Sequence, residues 1–169
     1  AGAYQREDGQ WVYQEMPAQE IWDIVMKSTY DFAEPGILFL GRMNSDNNLD
    51  YCEQIEASNP CAEQPLPPYG CCDLGPIILT QYVRDAFGQN PTFDFKAFEE
   101  AVAVQVRFLD NVLDVTHWPL EQQKKEAMAK RRIGVGFTGL GNALTMLKLR
   151  YNSDEGCAMG AKISESMRD

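Results

Sequence analysis

Histidine is almost absent from this chain: His117 is the only one in 169 residues. A Ser-His-Asp or Cys-His triad would have to use it. It stands beside Trp118 inside, or at the end of, the longest helical pattern, where capping or packing is the simpler role. Thiol pairs at the C-x₂₋₄-C spacing of structural zinc are missing too, since Cys52, Cys61 and the adjacent Cys71 and Cys72 lie too far apart or too close. No metal site is expected. No apolar run approaches the roughly 20 residues of a membrane span, so no membrane partner is expected. Basic charge is scarce, with 15 Lys and Arg against 25 Asp and Glu, a net charge of −10. That excludes a surface that wraps nucleic acid, though not a small anion in a locally basic pocket. The cysteine count is five, and odd. It speaks for a reducing, cytoplasmic setting rather than a disulfide framework. No secretory signal opens the chain, which starts at Ala1 rather than Met, so the expectation is an internal piece or a processed product. Repeats and low-complexity segments are absent.

What is present is an alternation of helical and strand-like patterns. Trp11 and Tyr13 flank Val12 after an Asp8-Gly9 turn, predicting a small hairpin over residues 1–15. Ile21, Trp22, Val25, Met26 and Tyr30 recur at helical spacing, predicting an amphipathic helix from about 18 to 33 with Pro17 at its first turn. The continuous apolar run Ile37-Leu38-Phe39-Leu40 predicts a strand buried on both faces, followed by a polar loop over residues 41–50. Ile77-Ile78-Leu79 predicts a second strand. Phe95, Phe98, Val102, Val106, Leu109 and Leu113 form the core stripe of the longest helix, over 93–116. A helix from Pro119 to Lys130 follows, then a strand over 133–137, a helix over 140–147, and a last helix capped by Asn152 or Ser153. The order implies a parallel α/β class with about three strands, few for a closed sheet.

Three constellations carry candidate chemistry. Gly134-Val135-Gly136-Phe137-Thr138-Gly139 matches G-x-G-x-x-G, but the strand overlaps the glycines instead of preceding them. Close approach of strand and helix therefore explains them better than a dinucleotide. The basic run Lys124, Lys125, Lys130, Arg131, Arg132 reads as a solvated helix face that can lie near an anionic ligand. The third is Asn59-Pro60-Cys61-Ala62-Glu63. Extended backbone would put Asn59, Cys61 and Glu63 on one face, and Pro60 biases Asn59 toward it. Prolines at 60, 65, 67 and 68 stiffen the surrounding loop. Cys72 follows eleven residues after Cys61. A thiol pair can deliver two electrons by closing a disulfide, a single thiol can carry a radical, and a carboxylate nearby can act as general base.

Asn59-Pro60-Cys61-Ala62-Glu63-Gln64-Pro65-Leu66-Pro67-Pro68-Tyr69-Gly70 closely resembles the finger-loop signature of ribonucleotide reductases, and the flanks are similar in style to the adenosylcobalamin-dependent (class II) branch. Tyr30-Asp31-Phe32-Ala33-Glu34-Pro35-Gly36, Asn47-Asn48-Leu49 with Tyr51-Cys52-Glu53, Leu109-Asp110-Asn111-Val112 and Arg131-Arg132-Ile133-Gly134-Val135-Gly136 extend the resemblance from about Pro17 onward. It implies that the chain is a fragment, 1–169, of the catalytic barrel domain, part of a ten-stranded α/β barrel with the finger loop at about 56–72 and no separate second domain. It implies roles as well. Cys61 becomes the thiyl radical that takes the ribose 3′ hydrogen, Glu63 takes the 3′-hydroxyl proton, Asn59 hydrogen-bonds the substrate hydroxyls, and Cys72 is one member of the reducing dithiol. The implied cofactor is adenosylcobalamin, the alternative being a radical supplied by a separate metal-containing subunit. The implied partners are a ribonucleotide, a thioredoxin-like reductant and a nucleotide effector bound outside these residues, with a homodimer of the full chain allowed. The other redox thiol and the main phosphate-binding loop are expected outside these residues, so the fragment alone should be inactive. Ala62 stands where the family usually has glycine, Gly41 where it has Asp, Asp73 where it has Asn, and Pro76-Ile77-Ile78 where it has Ser-Ile-Asn.

Two other readings remain at this point. One is a thiol redox module with Cys71 and Cys72 as a vicinal switch. The other is a non-catalytic binding or structural fragment.

Overall fold

A computed structural model describes residues 3–169; Ala1 and Gly2, the first two residues of the expected hairpin, lie outside the described residues. The chain divides into two compact units, Ala1–Pro65 and Leu66–Asp169.

In the first unit β1 (Tyr4–Gln5) pairs antiparallel with β2 (Trp11–Val12), as the alternation predicts. Gly9, at φ 84°, makes the turn, and Asp8 accepts the Gln10 N–H. Helix α1 (Ala18–Phe32) starts one residue after Pro17 and ends on Ala33 in the left-handed region. Its apolar residues are not covered within this unit: Trp22 and Tyr30 are exposed, and no residue of the helix is buried.

The strand expected over 37–40 is not formed. Ile37, Leu38 and Phe39 are exposed, and Leu40 opens a short helix, α2 (Leu40–Ser45), inside the expected loop. An apolar run supplies the side chains for a buried strand but not the neighbour that must satisfy its backbone, and among the described residues none lies alongside. The end of α2 is fixed by Asn44, whose carboxamide donates to Ile55 O (2.9 Å) and accepts from Ile55 N (2.7 Å). Ile55 is buried, and this pair of hydrogen bonds ties the segment entering the Cys61 loop to α2. Strand β3 (Ala57–Ser58) follows.

The chain continues through β4 (Pro65–Leu66) into β5 (Asp73–Ile78), a 3-10 turn over Leu79–Tyr82, and the pair β6 (Val83–Arg84) and β7 (Thr92–Phe93). Helix α3 (Phe95–Val115) is capped by Asp94, which accepts the Ala97 N–H at 3.1 Å. Helix α4 (Glu121–Lys130), strand β8 (Ile133–Thr138), helix α5 (Leu140–Met146) and helix α6 (Asp154–Arg168) complete the second unit. Ser153 caps α6 by accepting the Gly156 N–H.

β5 and β8 run parallel in register from Asp73↔Ile133 to Ile78↔Thr138. They are the only described strands longer than two residues, and each described sheet has two strands, so this is an α/β fold whose barrel is not closed within this chain. Burial along β5 alternates from Leu74 to Ile78, so it is a half-buried strand rather than one buried on both faces. The core joins the underside of this pair to the helices. Leu79, Phe98, Ala143 and Ile163 are fully buried, and the ring of Phe98 meets Tyr82 and Phe93 edge-on at 5.5 Å each. Each such large side chain contributes about 1.5–3 kcal/mol by leaving water. Of the predicted stripe on α3, Phe98, Val102, Leu109 and Leu113 are buried, while Val106 is exposed.

Candidate active site

Asn59-Pro60-Cys61-Ala62 is a β-turn, closed by the Ala62 N–H donating to Asn59 O at 3.0 Å. The fixed φ of Pro60 suits the second position of a turn as well as it suits extended chain. The side chain of Asn59 decides between them. Its Oδ1 accepts the Gln64 N–H at 3.0 Å, while the Asn59 N–H donates to Gln64 O at 3.2 Å. Ser58 adds a hydroxyl donation to Asn59 O at 2.9 Å. The expected extended run, with Asn59, Cys61 and Glu63 alternating onto one face, is therefore replaced by a tight loop.

That loop still gathers the residues. Cys61 sits at the third turn position, exposed, with Glu63 exposed two residues on and Asn59 half-buried at the base. Ala62 holds φ at 66°, a left-handed conformation that glycine adopts without cost and alanine does not. Two contributors escaped the sequence reading. Gln64 works through its backbone, which no side-chain pattern signals. Asn44 lies in a stretch expected to be loop; its only signal is that a carboxamide can replace a strand partner for one residue.

Cys72 belongs to the second unit. It is half-buried immediately before β5, and its Sγ lies 3.9 Å from Asp73 O. A β-carbon on Gly134 would stand 3.2 Å from that sulfur. One oxygen of Asp73, Oδ2, is buried without a hydrogen-bond partner. Burial pushes the neighbouring Cys71 thiol above its ordinary value; Arg132 opposes this, and Asp73 and Glu126 add to it.

The basic run is not simply a solvated face. Arg131, left-handed at φ 46°, caps α4 and sends its guanidinium back to α3: Nε to Asp110 Oδ1 (2.6 Å), one amino group to Asp110 O (2.8 Å) and the other to Asp114 (2.8 Å). Arg131 holds the Asp110 carboxyl below the usual carboxylate range. Lys130 pairs with Glu126, and Lys124 and Lys125 stay exposed. Gly134 and Gly136 lie within β8 and only Gly139, at φ 78°, caps a helix, so no strand precedes the glycines as a dinucleotide site requires. His117 is exposed beyond the end of α3, neither in the helix nor packed.

Residues 2–169 match the family model described as the ribonucleotide reductase barrel domain. A vitamin B12-dependent ribonucleoside-diphosphate reductase of Thermoplasma acidophilum is 38% identical over 158 residues, covering 94% of this chain and 20% of that protein. A protein of the same description from Mycobacterium tuberculosis is 37% identical over 148 residues, covering 88% of this chain and 21% of its own length. The ribonucleoside-diphosphate reductase large chain of Encephalitozoon cuniculi is 29% identical over 158 residues, covering 90% and 20%. The chain spans about a fifth of the length of these relatives.

Proposed function

Because this chain belongs to the ribonucleotide reductase barrel-domain family, we propose that it is the finger-loop part, about residues 56–72 and their scaffold, of a chain that reduces ribonucleoside diphosphates to deoxyribonucleotides for DNA synthesis. The observation that carries this reading is the exposed Cys61 on a tight turn whose base is Asn59 and whose exit is Glu63.

Cys61 loses a hydrogen atom to a radical generated outside these residues. Its sulfur then takes the 3′ hydrogen of the ribose, while the Glu63 carboxylate takes the proton of the 3′-hydroxyl. Asn59 donates from Nδ2 to a substrate hydroxyl, while its Oδ1 holds the Gln64 N–H. The 2′-hydroxyl leaves as water, taking its proton from one thiol of the reducing pair, while the other thiol's hydrogen goes to C2′. Cys72 and a second thiol outside these residues supply two electrons and close a disulfide, Cys61 returns its hydrogen to C3′, and a thioredoxin-like reductant reopens the disulfide. A homodimer and an effector site belong to the full chain.

We assign the radical to adenosylcobalamin, since two relatives are named vitamin B12-dependent. The residues present do not hold such a group themselves: the turn around Cys61 is exposed or half-exposed and encloses nothing of corrin size. The vicinal-switch reading is disfavoured by Cys71, whose thiol burial pushes above its ordinary pKa, away from the thiolate that exchange needs.

The test is to supply the full-length parent chain with adenosylcobalamin, a ribonucleoside diphosphate and a dithiol, and to measure deoxyribonucleotide. Cys61→Ser is expected to abolish product, and Glu63→Gln to lower kcat by roughly 10²–10⁴-fold. Undiminished turnover by Cys61→Ser would overturn the thiyl reading. A parent that works only with a second, metal-containing subunit would overturn the cobalamin assignment.

A further inference from the structure

We propose that Gly134 is a positioning residue for the Cys72 thiol, a role that rests on reading Cys72 as one of the reducing pair. Gly134 lies in β8 opposite Leu74 of β5, one step beyond the Asp73↔Ile133 pair, and Cys72 immediately precedes β5. A β-carbon at 134 would stand 2.2 Å from Leu74 Cδ2 and 3.2 Å from Cys72 Sγ, against ordinary heavy-atom contacts of about 3.5–4.0 Å. The sulfur therefore rests over bare backbone. The backbone at 134 is not in the left-handed region that would call for glycine by itself, so the requirement is one of space.

Gly136 provides the contrast. It lies two residues along the same strand, on the same face, and a β-carbon there would meet nothing within 4 Å. Of the two glycines within β8, only Gly134 leaves no room for a side chain, with Leu74 the nearer neighbour and the Cys72 sulfur the next. This gives the glycine-rich run a task that a dinucleotide did not. Disulfide closure tolerates only a narrow range of sulfur and β-carbon positions, so a thiol on a fixed seat reaches its partner at less conformational cost than one that a methyl group has lifted.

The experiment uses the full-length parent carrying Gly134→Ala, Leu74→Ala, the two combined, and Gly136→Ala. Leu74 is half-exposed, and shortening it removes the worse clash, so the combined variant isolates the contact with sulfur. The rate of Cys72 alkylation by iodoacetamide is measured by mass spectrometry against exposed Cys61 in the same molecule, alongside kcat and KM with a dithiol reductant. The combined variant should alkylate Cys72 roughly threefold faster or more, because the thiol is pushed toward solvent, with kcat lowered and KM unchanged. Leu74→Ala and Gly136→Ala should move neither reading. Parent-like alkylation and kcat in the combined variant would overturn the proposal, as would an equal effect of Gly136→Ala. Cys72→Ser separates the two levels. If it turns over like the parent, the redox role of Cys72 fails, while the alkylation comparison still reports on the seat.

Discussion

The carboxamide oxygen of Asn59 accepts the Gln64 N–H at 3.0 Å, and the Asn59 N–H answers with a bond to the Gln64 carbonyl at 3.2 Å. One side chain thus closes the loop that carries Cys61 and, in doing so, commits its acceptor. The Nδ2 donor takes no part in that closure and can face a ligand.

Asn59→Ala and Asn59→Asp should therefore separate shape from chemistry. Alanine removes the acceptor and should weaken the loop by about 0.5–1.5 kcal/mol, seen as faster hydrogen exchange at the Gln64 amide. Aspartate keeps an acceptor there and should preserve that protection. Both variants lack the Nδ2 donor, so both should lose turnover in the full-length parent. Normal turnover by Asn59→Asp would show that the donor has no part in the reaction.

Ala62→Gly should stabilise the turn. Alanine at φ 66° pays a steric cost of about 1–2 kcal/mol that glycine avoids, partly offset by the greater freedom of glycine in the unfolded chain. The net expectation is a gain of about 0.5–1 kcal/mol, read from a raised denaturation midpoint of the parent with unchanged slope. Ala62→Val should move the midpoint the other way, because a branched β-carbon fits this conformation worse.

These two residues also show where sequence reasoning stops. The stripe on α3 was legible because burial of Phe98, Val102, Leu109 and Leu113 follows directly from a repeat that the chain displays. Strand β8 was legible because Ile133, Val135 and Phe137 alternate between glycines. The run Ile37-Leu38-Phe39 carries an equally strong apolar signal, yet these residues are exposed, since hydrophobicity does not supply a neighbouring strand. At the site, the identity of Asn59, Cys61 and Glu63 was legible and their arrangement was not. Proline at 60 fits both a strand and a turn, and the choice depends on a backbone N–H four residues beyond it, which no side-chain letter records.

The link between α3 and α4 should show in acid. Hydrogen bonding from Arg131, aided by its charge, depresses the Asp110 pKa in the folded chain below its unfolded value of about 4. A depressed carboxylate contributes stability that is fully present above the unfolded pKa and is lost as pH falls through the folded one. Arg131→Gln should therefore lower the thermal midpoint of the parent near neutral pH, with the difference shrinking below about pH 4. A difference that stays constant into acid would mean that Arg131 acts through packing alone.

Cys71 offers the sharpest test between a single redox thiol at 72 and a vicinal pair. Burial raises the Cys71 pKa, and the charges of Asp73 and Glu126 push the same way, with only Arg132 opposing. Since the thiolate is the attacking species, Cys71 should alkylate more slowly near pH 8 than an ordinary thiol and gain reactivity at higher pH than one. Arg132→Gln removes the opposing charge and should delay that gain further. If chemistry runs through Cys72 with a thiol beyond these residues, Cys71→Ser in the full-length parent should keep multiple turnover with a dithiol, whereas Cys72→Ser should not. Equal loss in the two variants would instead require both sulfurs, and the adjacent pair would then be the reductant.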